Sequence, residues 1–283
     1  MDLKKISDEI KDILEQKRNE LQLTFIEEDH IYYMKDLDGK VKSSFPSVSK
    51  VVKKFTTPFD STKKSLQMCD GNEEEAMKLR EQWSAAGTYS TNMGSRVHYL
   101  LETDLISRYN KYKEVRQPIF NVDDEQISKS DNMVLAGKKY LDLMHERGAV
   151  LLDTEVVLGH PLEGYTGQPD KVWLMVNKEL TGFGLVITDW KTNEPKNFEV
   201  QPYNGFLHRP FSNYRDYALT HYYLQLPLYA KLLIRMLENS KYSDLKLLGC
   251  VVVLLKKDGT FVEHRVPKDI IQTILSMDIK KIL

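Results

Sequence analysis

Asp170, Asp189 and Lys191 are the residues whose types and spacing most plainly offer chemistry, and all three lie in GYTGQPDKVWLMVNKELTGFGLVITDWK. Two apolar runs flank a turn-like segment at residues 177–182, which predicts an antiparallel hairpin. Pairing about Glu179 and Leu180 brings Asp170 opposite Asp189, within a residue or two. Strand side chains alternate, so Asp189 and Lys191 share one face while Trp190 points to the other, towards packing. Two adjacent carboxylates repel in low dielectric, and a hard cation such as Mg²⁺ or Mn²⁺ makes them compatible. Such a cation polarises a phosphodiester and lowers the pKa of a bound water, while the neighbouring ammonium orients that water or stabilises developing charge. The trio therefore points to phosphodiester hydrolysis. Asp-x-Lys is also common on solvated hairpins, so the case needs further motifs.

Those motifs come from a resemblance. Pro169-Asp170 followed by Asp189-Trp190-Lys191, with Gly164 and Gly167 ahead, resembles the GxxGxxD…DxK arrangement of the RecB-type PD-(D/E)XK nucleases. Upstream, Gly94-Ser95-Arg96-Val97-His98 with Glu102 resembles the family's GxxxHxxxE motif, and downstream, Gln225-Leu226-Pro227-Leu228-Tyr229 resembles its QxxxY motif. Phe45-Pro46-Ser47-Val48-Ser49 and the series Trp83, Gly87, Gly94 and His98 are similar to mitochondrial genome maintenance exonucleases and related phage exonucleases. The resemblance runs over residues 44–229, departing from the pattern in Ser49, where threonine is usual, and in the lack of a mitochondrial targeting segment.

The resemblance implies a PD-(D/E)XK restriction-endonuclease-like core, a central mixed sheet flanked by helices. It further implies that His98, Asp170, Asp189 and the Trp190 carbonyl hold one or two Mg²⁺ or Mn²⁺ ions, that Lys191 assists the water, and that Gln225 and Tyr229 support the substrate. On a helix His98 and Glu102 share a face, with Val97, Leu101 and Leu105 packing beside them. Gln225 and Tyr229 have the same spacing, where they would orient the lysine, the water or a phosphate. Glu102 and Glu155 are candidate supporting acids around the metal.

The elements that must position these groups follow from periodicity. Ile6, Ile10, Ile13, Leu14 and Leu21 predict an amphipathic first helix. The run LTFIEEDHIYYMK and a second one from Val41 flank the turn signal Asp38-Gly39. Helices are predicted over 72–107, with a break near Gly87, over 132–147 and over 222–237. Strands are predicted over 150–158, 171–176, 184–190 and 247–256, with a short terminal helix after them. The simplest reading is one α/β domain with helical and loop elaborations. In it, residues 1–93 supply a first helix, a hairpin and a DNA-covering segment, and residues 94–283 supply the catalytic core.

With 283 residues and 41% hydrophobic content the chain can bury a sizeable core, and 40 Lys+Arg against 41 Asp+Glu leave no overall charge to attract a polyanion. DNA contact must then come from patches: Lys50, Lys53, Lys54, Lys63 and Lys64 among Phe55 and Phe59, and Arg209 and Arg215 in the aromatic tract from Tyr203 to Tyr223. No run approaches the ~18 to 20 apolar residues of a membrane span. Cys69 and Cys250 form no CxxC pair, which argues against an iron–sulfur cluster, and no GxxxxGK[ST] loop is present to handle ATP. With these features, the resemblance implies a cytoplasmic exonuclease, of a bacterial or phage-infected cell, acting on DNA with free ends, single-stranded or frayed, in recombination, repair or replication. The rivals are a structure-specific or restriction-like endonuclease and a catalytically silent DNA-binding protein.

Overall fold

Alternation in the two strands that carry the acids builds the centre of the molecule, because both of their faces are covered. The computed structural model describes residues 2–109, 117–118, 120–177, 182–198 and 205–283. The expected turn at Glu179 and Leu180, and Tyr203 of the aromatic tract, lie outside the described residues. Strand β4 (Val150–Thr154), β7 (Lys171–Asn177) and β8 (Gly182–Lys191) pair antiparallel. Helix α7 (Ala218–Met236) then crosses over to β9 (Lys246–Leu255), which lies parallel to β8, and β10 (Phe261–Arg265) pairs antiparallel at the edge. The sheet order β10-β9-β8-β7-β4 is thus mixed. Between β4 and β7 the chain makes a separate hairpin, β5 (Leu158–His160) with β6 (Tyr165–Gly167).

Val172, Leu174, Leu185 and Ile187 face one apolar cluster, under α1 (Leu3–Leu21), α2 (Val48–Val52), α7 and α8 (Lys268–Ser276). Trp173, Val186 and Trp190 face the other, under α4 (Glu73–Arg108) and α5 (Asp124–Glu146). The Trp173 indole donates to the Thr188 hydroxyl at 2.9 Å, so a polar atom in this layer is satisfied rather than stranded. Val97, Leu101 and Leu105 are buried along one stripe of α4, which sets the direction of His98. Ahead of these elements, β1 (Thr24–Ile26), β2 (Ile31–Lys35) and β3 (Val41–Lys42) form a small antiparallel sheet. Helix α3 (Ser61–Met68), capped by Asp60, precedes α4, and the short α6 (Pro195–Phe198) follows β8.

Several boundaries differ from the sequence expectations for identifiable reasons. Helix α4 runs through Gly87 without a break, since a single glycine costs only about 1 kcal/mol in a helix interior. Helix α5 starts well before 132, at a capping box between Asp123 and Gln126. The apolar run from 150 to 158 is two strands, parted at Glu155, whose φ is 48°. The run from 23 to 35 is likewise two strands, turned at His30 with φ 53°. Strand β10 was not foreseen, although Asp258-Gly259 marks its turn, with φ 77° at the glycine. Among the described residues no helix is long and apolar enough to cross a membrane.

Candidate metal and active centre

The register of β7 and β8 pairs Lys171 with Thr188, so one step outward Asp170 meets Asp189. Asp170 heads β7 directly after Pro169 and is fixed from several sides. Its Oδ2 accepts the Trp190 N–H at 2.7 Å, and its backbone carbonyl accepts the Thr154 hydroxyl at 2.9 Å and the Glu155 N–H at 3.1 Å. The last two bonds also fix the left-handed turn that swings Glu155 towards Asp170. The Gln168 side-chain amide holds the Glu155 carbonyl at 3.0 Å.

Helix α4 brings His98 to the same place from the opposite face of the sheet, its Nδ1 standing 3.6 Å from Asp170 Oδ2. Gly94, one turn earlier, permits this approach, because a Cβ there would sit 3.1 Å from Thr192 Oγ1. One ligand atom each from His98, Glu155 and Asp170 lie within 4.8 Å of one another. One imidazole nitrogen and two carboxylate oxygens about a common point could hold a metal ion. The sequence reading placed Glu155 only as a supporting acid, and the geometry brings it into this group. Asp189 stands outside the group, buried, with its carboxylate ion-paired to Lys191. The Trp190 carbonyl is engaged by the His98 ring.

The charges are arranged with matching asymmetry. Burial alone would raise the Asp170 carboxyl, but Lys171, His98 and Lys191 together with the Trp190 amide hold it well below the usual carboxylate range. Burial and the neighbouring Asp170 charge push Asp189 up instead, against the pull of Lys191. Burial would lower Lys191, but Asp189, Tyr222 and Asp170 raise it, so it stays an ammonium. It lies 4.4 Å above the Tyr222 ring. Burial lowers His98 to about 4, which leaves the imidazole neutral and able to ligate at neutral pH.

Lys171 is the functional neighbour that the sequence reading did not single out. It is fully buried, 4.0 Å over the Trp190 ring and 3.6 Å from Asp170 Oδ2, where burial lowers its ammonium against the pull of Asp170, Glu155 and Asp189. The legible signal was a lysine at a core-facing position of an otherwise apolar strand, on the face of Trp173.

From α7, Gln225 donates to the Tyr229 hydroxyl at 2.7 Å. The Tyr229 ring is seated against Gly167, where a Cβ would come within 2.5 Å of Cε1, and this explains the glycine in that motif. Gly164, with φ 76°, makes the preceding turn. Tyr229, His98, Glu102 and Glu155 line one cavity of about 450 Å³, walled by Ser47 and Ser49 of the α2 segment on one side and Ser95 and Tyr99 of α4 on another. A second opening, lined by Lys191, Thr192, Asn193 and Tyr222, shares Ser95 and His98 with the first, so Glu155 is reached from one side of His98 and Lys191 from the other.

Lys50, Lys53, Lys54, Lys63, Lys64, Arg209 and Arg215 are all exposed, and none lines either of these openings. Lys50 and Lys54 instead border a separate cavity with Lys42 and Lys280. In the aromatic tract, Phe211 packs on Phe55, Tyr214 hydrogen-bonds Asp269 and Phe206 lies under Arg215, while Tyr222 lies under Lys191. The chain matches no protein-family model and no curated protein sequence.

Proposed function

We propose that this chain is a divalent-metal-dependent deoxyribonuclease of the PD-(D/E)XK type, an exonuclease acting on single-stranded or frayed DNA ends. The observation that carries the reading is the His98–Glu155–Asp170 group with the Asp189–Lys191 ion pair beside it. A helix bearing the histidine, three antiparallel strands bearing the acids and lysine, and a crossover helix into a parallel strand are compatible with the core that the motifs imply.

His98, Glu155 and Asp170 would hold Mg²⁺ or Mn²⁺, which would supply Lewis acidity to a phosphodiester oxygen and lower the pKa of a water. The protein's own groups do the rest. Lys191 holds its proton beside Asp189 and places a positive charge where the attacking water and the developing phosphorane charge meet. Tyr229 also keeps its proton, since burial and the Asp189 charge raise it well above the ordinary phenol range. With Gln225 donating to its oxygen, the Tyr229 O–H is left to donate to a phosphate oxygen. Openings on either side of His98 support a reading in which the strand lies across that residue.

The test is digestion of end-labelled linear and covalently closed circular single-stranded DNA in Mg²⁺ or Mn²⁺. Linear strands are expected to be degraded, circles to resist, and chelation to stop the reaction. Equal cutting of circles and linear strands assigns the chain to the endonucleases, and binding without cleavage in either metal makes it a silent DNA-binding protein.

A further inference from the structure

The cavity over the metal group has a second chemistry at its outer end, built by the small N-terminal sheet. Phe25 of β1 and Tyr32 of β2 stack with centroids 4.5 Å apart and planes 29° apart, and His30 meets Phe25 edge-on at 5.4 Å. All three rings line the cavity that also holds His98 and Glu155. The innermost ring, Tyr32, is buried. His30, at the outer end, is exposed and held at φ 53°. Glu155, across the cavity, has φ 48°. Non-glycine residues in the left-handed region are uncommon, and here two of them aim side chains into one space.

The cavity's remaining lining decides what such rings can do. Among the described residues that line it there is no lysine or arginine, while Glu27, Glu102 and Glu155 are all present. A polynucleotide in this cavity therefore gains little from pairing its phosphates with cationic side chains. Its affinity there must come from the ligated cation and from contacts with the uncharged faces of its bases.

We infer that Phe25, His30 and Tyr32 form a nucleobase-stacking clamp, one-sided because the Phe25 and Tyr32 rings already stack on each other, which takes a base of a single strand against its cavity-facing side next to the phosphate held at His98, Glu155 and Asp170. The clamp rests on the nuclease reading and specifies it: a base must be free of its complement to enter, so the chain selects unpaired DNA by stacking. The contact is indifferent to base identity, because every base presents a π face.

The probe is a single-stranded oligonucleotide with 2-aminopurine near one end, mixed with the full chain in Ca²⁺ in place of Mg²⁺ or Mn²⁺, so that the acids carry a cation while cleavage is held back. Stacking on an aromatic ring quenches this base, and the position of greatest quenching marks the clamp. Phe25→Leu keeps apolar bulk in the hairpin but removes the π face, so it is expected to lose the quenching and weaken binding about tenfold, as for one lost stack. Phe25→Tyr is expected to restore both. Thermal unfolding of each variant separates this from a misfolded hairpin. Wild-type quenching and affinity in Phe25→Leu and His30→Ala together would overturn the clamp and leave the nuclease reading standing. Failure of the wild-type chain to bind single strands at all would overturn both.

Discussion

At the scale of single residues, the centre divides acids by task. Glu155 and Asp170 face the imidazole, whereas Asp189 is committed to Lys191. Substitutions should therefore separate metal affinity from turnover. Glu155→Gln and Asp170→Asn each remove one anionic ligand and are expected to weaken Mn²⁺ binding by roughly 10- to 100-fold in calorimetry. Asp189→Asn and Lys191→Ala are expected to lower the cleavage rate by about two decades or more, with a smaller change in metal affinity, because they act on the water and on developing charge. Equal loss of metal binding in all four folded variants would show that Asp189 ligates as well and that the ion pair opens when metal arrives. Lys171 explains how the acids coexist before that: its buried ammonium lies 3.6 Å from Asp170, and without it the carboxylates would face one another with Lys191 alone to offset them.

At the scale of elements, the centre exists because helices from opposite faces of one sheet reach the same strand ends, and glycines set how near they come. Gly167→Ala would place a methyl 2.5 Å from Tyr229 Cε1 and 2.7 Å from Val48 Cγ2, so α7 or α2 must move. The expected outcome is a folded chain with cleavage reduced at least about tenfold, since a displacement near 1 Å at a reacting group costs that or more. Unchanged cleavage would mean that Tyr229 does not touch the substrate. This dependence on close approach also explains what could be read from the sequence. Strand alternation and the span between Asp170 and Asp189 gave the register, because a hairpin leaves little freedom once its turn is centred. The stripe of Val97, Leu101 and Leu105 gave the facing of His98. Glu155 reads as a mid-strand residue because a left-handed kink at a glutamate has no propensity signal, and bonds to Asp170 and Gln168, distant in sequence, hold it. The aromatic clamp was hidden for a similar reason: Phe25 and Tyr32 read as ordinary strand residues, and only the turn at His30 stacks them. The exposed lysines line neither opening at His98, since charge clustering along a sequence does not fix which surface it lines.

At the scale of the whole molecule, near-zero net charge places the pH response in a few buried groups rather than in general repulsion. His160, in the β5–β6 hairpin that delivers Gly167, is the group with the clearest sign. Burial and the nearby Arg235 charge lower it from 6.5 to about 4. Its Nδ1 also accepts the Leu162 N–H at 3.2 Å, a bond that only the form with an unprotonated Nδ1 can make. In the unfolded chain the imidazole takes up its proton as pH falls through 6.5, while the folded chain resists until about 4. The unfolded state thus binds more protons throughout that window, so stability falls as pH falls from 6.5 towards 4 and is fully present above it. His98 has the same sign, being lowered to about 4 mainly by burial, although a third of its side chain remains open (33%), which softens its contribution. His160→Asn keeps an acceptor for the Leu162 amide but cannot titrate. Its thermal midpoint is expected to fall less than that of the wild type between pH 7 and pH 4, with the two chains closest in slope above pH 7. Parallel midpoints across the whole range would remove His160 as a source of acid sensitivity and leave His98 to carry it.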